Sequence, residues 1–447
     1  MSKLFGTDGV RGVANEELTP ELAFKLGRAG AYILAKEKKG SILIGRDTRA
    51  SGTMLEAAIT AGILSMGIDV ISLGVIPTPA VAYLTREYKA LAGIVISASH
   101  NPGEYNGIKF FNYKGLKLRD EVEAEIEDII SNDKEIEIRP TGKDVGKTII
   151  HREGQEDYIN YLIETIKVDL SGVKVAMDCG HGALSEIGPE TIKRLGGEVI
   201  AINISPDGMN INDNCGSTNS DMIRDLVLKE KADIGVSFDG DADRIIAVDE
   251  KGIVLDGDHI LAICGTHLNK SGKLKNNTIV GTVMTNMGLD NYLKENGMKI
   301  KKTQVGDRYI LEEMLNSDYV LGGEQSGHII FLDYNTTGDG LATALHLLEV
   351  MKDTGERMSS LNNLMTDYPQ VLVNASVSNG KKYYYEEDKE IRREIEKVEA
   401  LFQGEGRVLI RPSGTEPLVR VMIEAKEDKG IEKIAKDLAI FIEEKLS

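Results

Sequence analysis

One pattern, a strand followed by a polar turn, a helix and a second strand, recurs three times along the chain. The copies cover residues 41–71, 173–201 and 278–302. Each has the length of one βαβ unit, about 25–30 residues. Because such a unit covers a sheet with a helix, the three copies predict three similar α/β domains.

The chain beyond Tyr368 and Pro369 has a different pattern. Short apolar runs at 371–377, 407–410 and 418–424 predict strands, and a last helix is expected to start near Gly430. This part predicts a smaller α+β domain. A chain of 447 residues is too long for a single core. We therefore expect four domains, with boundaries at 1–153, 154–252, 253–368 and 369–447.

Charge, cysteine content and hydropathy limit the possible partners. The net charge of −18 argues against nucleic acid, because a phosphate backbone requires a basic surface. Three widely spaced cysteines, an odd number, indicate a reducing compartment rather than a disulfide framework. Since no apolar run approaches membrane-spanning length, we expect a cytoplasmic protein with no membrane partner.

A short apolar run at 94–96 ends in two serines, Ser97 and Ser99, followed by His100. In open α/β sheets, ligands bind beyond the carboxyl ends of the strands. A serine hydroxyl there becomes a nucleophile if nearby groups neutralise the charge that it meets. The residues alone do not choose between the two serines, and an ordinary turn is the alternative interpretation.

Three carboxylates, Asp239, Asp241 and Asp243, occupy alternate positions between two apolar runs. They repel one another unless a cation lies among them, and oxygen ligands suit Mg²⁺ or Ca²⁺. A helix-flanked calcium loop is excluded, because Arg244 stands where that loop requires glycine and the flanks resemble strands. We predict a Mg²⁺ site, with a solvated acidic turn as the alternative.

Two further loops carry polar groups suited to a sugar phosphate. In the loop 322–328, Glu324 and Ser326 suit sugar hydroxyls, and His328 could move a proton. A glycine-rich turn with incidental polar residues is the alternative.

The second of these loops, 411–417, has the composition of a phosphate cradle. It combines backbone freedom, hydroxyls and positive charge in Arg411, Ser413, Gly414, Thr415 and Arg420. Together the loops supply a nucleophile, a metal, a polyol contact and a phosphate anchor, the parts required for phosphoryl transfer on a sugar phosphate. No Walker loop occurs in the sequence, so nothing indicates a nucleotide donor.

With these four motifs in this order, the chain resembles the α-D-phosphohexomutase family over its whole length. Segment 96–102, Ile-Ser-Ala-Ser-His-Asn-Pro, resembles the phosphoserine loop of that family. The resemblance implies three related α/β domains and a fourth α+β domain around a central cleft. Gln325 and the segments 210–218 and 305–309 resemble the glucosamine branch of the family.

The resemblance also implies roles for individual residues. It selects Ser99 as the phosphate carrier, with one phosphate oxygen on Mg²⁺ beside Asp239, Asp241 and Asp243. His100 follows Ser99 in what we expect to be an extended segment, so we predict that it faces away and is not the base.

Further residues are assigned by the same resemblance. It places Arg11, Lys109 and His328 near the reacting oxygens, as charge stabilisers or proton carriers. Arg244, Glu324, Ser326 and the phosphate-cradle residues are expected to bind substrate.

The implied reaction interconverts glucosamine 6-phosphate and glucosamine 1-phosphate through a 1,6-bisphosphate, in a monomer or homodimer. The alternatives are mutases of glucose or mannose phosphates, a metal-dependent sugar phosphatase and a non-catalytic sugar-phosphate sensor.

Overall fold

A computed structural model describes residues 4–6, 8–36, 38–378, 380–413, 417–428 and 430–447. Contacts within the chain divide it into two compact units. The large unit comprises Met1–Met284 and Ile300–Leu364, and the small unit comprises Thr285–Lys299 and Met365–Ser447.

The first domain of the large unit is built on a six-stranded sheet with strand order β1-β5-β4-β2-β3-β6. Strands β2, β3, β4 and β6 run parallel, whereas β5 is antiparallel to both β1 and β4. Thr19 and Pro20 start the first helix: the Thr19 side chain accepts a hydrogen bond from Leu22 N, and proline suits the first helical position. The elements are β1 (Val10–Val13), α1 (Pro20–Ala35), β2 (Ser41–Arg46), α2 (Gly52–Leu64), β3 (Asp69–Val75), α3 (Thr78–Glu87), β4 (Ala92–Ile96), β5 (Tyr105–Asn112), α4 (Asp120–Ser131) and β6 (Thr148–Ile150).

The second domain has a five-stranded sheet with order β11-β10-β9-β7-β8. Strands β7, β8 and β9 are parallel, and β9 turns back into β10 as an antiparallel hairpin. The elements are α5 (Gly154–Thr165), β7 (Lys174–Asp178), α6 (Ile187–Arg194), β8 (Glu198–Ile202), α7 (Asp221–Glu230), β9 (Ile234–Phe238), β10 (Ile245–Asp249) and β11 (Val254–Leu255).

The third sheet has four strands in the order β13-β12-β14-β15. Helix α11 of this region is buried along most of its length. The elements are α8 (Gly257–Lys270), β12 (Thr278–Thr282), α9 (Met287–Glu295), β13 (Lys299–Thr303), α10 (Asp307–Ser317), β14 (Leu321–Gly323), β15 (Ile329–Phe331), α11 (Gly340–Thr354) and α12 (Met358–Asn362).

The small unit contains a three-stranded antiparallel sheet with order β16-β18-β17. Helix α9 belongs to this unit, and Met287 N donates to the buried Glu424 Oε1 over 2.8 Å. Helix α13 was not predicted, although Ile391, Ile395 and Val398 recur at helical spacing. The elements are β16 (Gln370–Ser376), α13 (Lys389–Leu401), β17 (Gly406–Pro412), β18 (Leu418–Ala425) and α14 (Ile431–Leu446).

The predicted fold class, three similar α/β domains followed by a smaller α+β domain, is confirmed. The pattern succeeded because strand and helix periodicity is local to each βαβ copy, even though helix α9 of the third copy belongs to the small unit. Among the described residues, no helix combines the length and the hydropathy that crossing a bilayer requires.

Candidate active site

The loop after β4 separates the two candidate serines by their contacts. Ser97 Oγ donates to Asp47 Oδ2 over 2.6 Å and accepts from Ser99 N over 2.9 Å, so its hydroxyl is held inside the domain. Ser99 Oγ instead donates to Asp239 Oδ2 over 2.5 Å. Ser99 therefore presents its hydroxyl to the acidic triplet of the second domain.

The expectation that His100 faces away is wrong. Ser99 has a left-handed backbone, with φ of 54°, so the chain bends there instead of continuing as an extended strand. As a result, His100 Nδ1 lies 3.4 Å from Ser99 Oγ and 3.3 Å from Arg244 Nη1. Burial lowers the pKa of His100, and the charges of Arg244 and Arg11 lower it further.

Asp239, Asp241 and Asp243 lie on the hairpin between β9 and β10. They are 1%, 0% and 4% exposed, and one carboxylate oxygen of each lies within 4.8 Å of the others. Burial, followed by the charges of Asp243 and Asp241, raises the pKa of Asp239 well above its usual value. Three buried carboxylates this close therefore require either a proton or a cation among them.

The triplet fits a divalent metal ion. Among the described residues, none donates a hydrogen bond to Oδ1 of Asp241 or of Asp243. His328 Nδ1 lies 3.7 Å from Asp243 Oδ1, which is beyond hydrogen-bonding range. Two buried, unpartnered carboxylate oxygens beside a third carboxylate are the hard donors that Mg²⁺ and Ca²⁺ take.

Lys109 comes from β5 and enters the same cluster from the first domain. Its Nζ lies 2.9 Å from Asp241 Oδ2, 2.9 Å from Asp8 Oδ2 and 3.5 Å from Asp243 Oδ2. Burial lowers the pKa of Lys109, but the three carboxylates outweigh burial and raise it. Lys109 is therefore a fixed positive charge beside the triplet.

A chain of alternating charges links Lys109 to the loop that carries His328. Asp8 pairs with Arg11 and Lys117, and Lys117 Nζ also lies 2.5 Å from Asp307 Oδ2. His328 Nε2 is 3.5 Å from the same Asp307 oxygen. It also accepts from a backbone amide, Gly338 N, over 2.9 Å, which places the proton of the neutral ring on Nδ1, toward Asp243.

The loop 322–328, called the sugar loop below, begins at the end of β14. Neighbouring residues of the third domain hold it in place. Glu324 Oε1 accepts from Gly306 N over 3.0 Å, and Gln325 Nε2 donates to Asp256 Oδ2 over 3.0 Å. Ser326 is exposed at the tip of the loop, and His328 is buried at its base. The loop therefore offers a carboxylate and a hydroxyl on a supported turn.

The phosphate-cradle residues lie in the small unit. Arg411 on β17 and Arg420 on β18 are directly paired across the antiparallel strands, and Ser413 is buried beside them. Lys382 Nζ donates to Ser413 O over 2.6 Å. Two arginines at facing strand positions beside a buried serine supply the charged and hydroxyl donors that suit a phosphate. Gly414 and Thr415 lie outside the described residues.

The large unit thus brings together Ser99, the acidic triplet, Lys109 and His328, with Arg11 attached through Asp8. Arg244 is tied to the triplet by its own backbone, because its N donates to Asp239 Oδ1 over 3.1 Å. No role was predicted for several groups whose contacts span the chain, although Asn212 and Asp307 lie in the segments 210–218 and 305–309 singled out above. These groups are Asp8, Asp47, Arg49, Thr78, Lys117, Asn212 and Asp307. A signal existed for Asp8 and Asp307, which stand in glycine-containing segments, whereas Thr78, whose Oγ1 donates to Asp241 Oδ2 over 2.7 Å, has none.

Sequence profiles of four domains match the chain in order along its length. They are described as phosphoglucomutase/phosphomannomutase domain I at residues 2–137, domain II at 156–252, domain III at 256–368 and the C-terminal domain at 372–440. The chain is also 60% identical to a phosphoglucosamine mutase of Alkaliphilus metalliredigens, and the match covers 100% of both chains.

Two solved structures are similar in fold. A phosphoglucomutase/phosphomannomutase family protein from Burkholderia thailandensis is 24% identical, with a TM-score of 0.82 over 99% of this chain and 98% of that one. An N-acetylphosphoglucosamine mutase from Aspergillus fumigatus, solved with GlcNAc-6P and magnesium, is 18% identical, with a TM-score of 0.69 over 99% and 96%.

Proposed function

The chain belongs to the α-D-phosphohexomutase family, and from that premise we propose that it interconverts glucosamine 6-phosphate and glucosamine 1-phosphate. It is an intramolecular phosphotransferase of the isomerase class, like its full-length phosphoglucosamine mutase relatives. The observation that carries the proposal is the placement of Ser99 Oγ, 2.5 Å from Asp239 Oδ2 in an acidic triplet whose Asp241 pairs with Lys109 over 2.9 Å.

In the proposed cycle, Ser99 carries a phosphoryl group. The bond from Ser99 Oγ to phosphorus breaks as the sugar O1 bonds to phosphorus, giving a 1,6-bisphosphate. The O1 proton leaves to a base and the Ser99 oxygen recovers a proton. After the bisphosphate turns over, Ser99 Oγ loses its proton and bonds to the phosphorus on O6. The bond from O6 to phosphorus breaks, O6 gains a proton, and glucosamine 1-phosphate is released. Neutralisation and positioning supply most of the catalysis of such a transfer.

Mg²⁺ is the proposed metal, held by Asp239, Asp241, Asp243 and one oxygen of phosphorylated Ser99. A divalent ion there supplies neutralisation of the charge on the transferring phosphoryl group. Lys109 adds a second fixed positive charge, and its raised pKa favours this role over that of a base. Arg11 and His328 are proposed to act beside it.

The Ser99 hydroxyl must lose its proton when phosphate returns to it. Two acceptors are within reach: Asp239 Oδ2 at 2.5 Å and His100 Nδ1 at 3.4 Å. Burial lowers the pKa of His100, so its ring is neutral at neutral pH, and its Nδ1 also lies 3.3 Å from Arg244 Nη1. Asp239, whose Oδ2 already accepts from Ser99 Oγ, is therefore the favoured acceptor.

Substrate binding is proposed for two further groups of residues. Arg244, Glu324 and Ser326 would contact the sugar. Arg411, Ser413, Gly414, Thr415 and Arg420 would hold the phosphate that is not being transferred, and the cross-strand pairing of Arg411 with Arg420 supports this role.

We further propose domain boundaries, a cellular location and a class of partner. The boundaries 1–153, 154–252, 253–368 and 369–447 divide the domains. A cytoplasmic location is supported by three cysteines that are all buried and unbridged. The partner is a small sugar phosphate, and the state is monomer or homodimer.

The proposal is tested by mass spectrometry and turnover together. We expect active protein to carry one phosphoryl group on the peptide containing Ser99, and Ser99→Ala to lose at least about 10³-fold in turnover. Ser97→Ala should still carry the phosphate on Ser99, and Ser131→Ala, at an exposed serine of the same domain, is the control that should keep wild-type turnover. Wild-type turnover by Ser99→Ala would rule out the covalent route.

Comparing substrates separates the competing activities. Glucosamine 6-phosphate should be the best of the glucosamine, glucose and mannose 6-phosphates. Stoichiometric release of inorganic phosphate would instead identify a phosphatase.

A further inference from the structure

We propose that Arg49 and Asn212 are positioning residues that hold the Ser99 loop in its left-handed, phosphoryl-accepting conformation. The inference rests on the proposed role of Ser99 as the carrier. Neither residue contacts Ser99 Oγ, and both act on the backbone behind it.

All five N–H groups of the Arg49 guanidinium are used. Arg49 is 1% exposed, and its Nε donates to Asp47 Oδ2 over 2.9 Å. Its four remaining N–H groups bind main-chain carbonyls around the serine, those of Ser99 (3.0 Å), Asn101 (2.7 Å), Tyr105 (2.9 Å) and Pro102. A lysine has only three donors and no planar fork, so it cannot reproduce this set.

Asn212 grips two of the same carbonyls from the second domain. Its Nδ2 donates to Ser99 O over 2.9 Å and to Asn101 O over 3.1 Å. The Ser99 carbonyl is thus bound by side chains of two domains. The hairpin between β9 and β10, which carries the acidic triplet, also lies close to this carbonyl, because a Cβ on Gly240 would be 2.8 Å from Ser99 O.

This double hold has a physical purpose. A left-handed backbone is costly for a serine and persists only where the surroundings enforce it. At Ser99 that conformation turns Oγ toward Asp239, while Asp47 holds Ser97 Oγ, the acceptor for Ser99 N, on the other side. If the carbonyls were released, the loop would relax, and Oγ would leave its place beside the triplet.

The test measures one transfer step in full-length protein. Ser99 is first labelled with radioactive phosphate from glucosamine 1,6-bisphosphate, and the labelled enzyme is mixed with glucosamine 6-phosphate in a rapid-quench device. The rate constant of label transfer reports how well Ser99 is positioned, because it does not depend on the number of competent molecules. The amplitude reports the fraction of folded, competent protein.

Two variants are tested with matched controls. Arg49→Lys keeps a cation beside Asp47, and Asn212→Gly keeps the positive φ of 58° while removing the amide. Arg28→Lys changes another first-domain arginine that binds two carbonyls, and Asn203→Gly changes another second-domain asparagine with positive φ.

We expect the rate constant to fall about 10²-fold in Arg49→Lys and about 10-fold in Asn212→Gly, since small misplacements of a reacting group are costly. Both controls should keep the wild-type rate constant. A reduced amplitude with an unchanged rate constant in the test variants would show a merely structural role and overturn the proposal.

If Arg49→Lys does not fold, Asn212→Gly decides alone, and a rate constant within about twofold of wild type overturns the inference. Failure of the proposed function has a different signature, because wild-type Ser99 itself would then take no label.

Discussion

At the scale of residues, the candidate site is a balance of buried charges. The acidic triplet is adjacent to Lys109, and Asp8 links Lys109, Arg11 and Lys117. Such charges are stable only in combination, because an unpaired buried charge costs several kcal/mol. Changes to single groups should therefore affect metal affinity and pH dependence in predictable directions.

Removal of the metal with a chelator should abolish turnover, and Mg²⁺ should restore it. Burial and the neighbouring carboxylates raise the pKa of Asp239. When the pH falls below that raised pKa, Asp239 is protonated, and Mg²⁺ must displace the proton in order to bind. Mg²⁺ affinity should thus increase with pH, with proton release detected by calorimetry in buffers of different ionisation enthalpy. Asp225→Asn, which changes an exposed aspartate, should behave as wild type. A Mg²⁺ affinity that does not depend on pH would contradict the assignment of Asp239 as a metal ligand.

Asp8 should contribute stability that is lost in acid. Burial raises the pKa of Asp8, but Lys109, Lys117 and Arg11 outweigh burial and hold it well below its usual value. Its contribution is therefore complete above the unfolded pKa of about 3.9 and disappears as pH falls through the folded value. Asp8→Asn should lose roughly 3–5 kcal/mol of unfolding free energy at neutral pH.

Denaturant titrations across the acid range measure this difference. The gap between wild type and Asp8→Asn should shrink steadily below about pH 4, where Asp8 of the unfolded chain begins to protonate while Asp8 of the folded protein is still charged. Asp133→Asn removes an exposed partner of Lys25 and should cost less than about 1 kcal/mol at every pH. A gap that stays constant in acid would show that the charge of Asp8 is not responsible.

At the scale of elements, strand ends and helix ends hold the loops. Helix α8 begins under the sugar loop: Asp256 caps it through Asp258 N and His259 N and also accepts from Gln325 Nε2. Gly257 N donates to Gln325 O over 3.0 Å, so the first turn of α8 and the sugar loop form one packed contact.

Gly257→Ala should therefore disturb sugar binding. A Cβ at this position would lie 1.9 Å from Glu324 O, so the loop must shift. We expect the KM for glucosamine 6-phosphate to rise by about tenfold through misplacement of Glu324. Gly265→Ala in the same helix meets the end of the Ile279 side chain at 2.3 Å and should lower stability without changing KM. Equal effects of both variants on KM would contradict this view.

At the scale of the whole molecule, the first three domains are joined within the large unit by buried polar contacts. Tyr158 on α5 donates to Asp339 Oδ2 over 2.8 Å, at the start of α11. Asn335 Nδ2 donates both to the same oxygen and to Pro79 O, which lies in the first domain. One cluster therefore ties together elements of three domains.

Tyr158→Phe tests that cluster. Losing the hydroxyl removes a donor from the buried Asp339 and should cost roughly 1–3 kcal/mol. Hydrogen exchange should accelerate at the first amides of α11 and leave the β16–β18 sheet of the small unit unchanged. Tyr113→Phe, at a tyrosine that is 62% exposed, is the control and should alter neither region.

The sequence alone determined the domain plan and the identity of the loops. Strand and helix periodicity is local, so the three βαβ copies and the C-terminal strands were predictable. The Asp239–Asp243 triplet was predictable too, because its carboxylates are neighbours in the chain and must share one environment.

The tertiary structure decided everything that depends on distant contacts. It separated Ser99 from Ser97, brought His100 back toward the serine, and placed Lys117 against Asp307, 190 positions away. It also brought the Arg49 guanidinium to four main-chain carbonyls, to which it donates hydrogen bonds. No local pattern records such contacts, because a buried charge acquires its partners only when separate strands and loops converge.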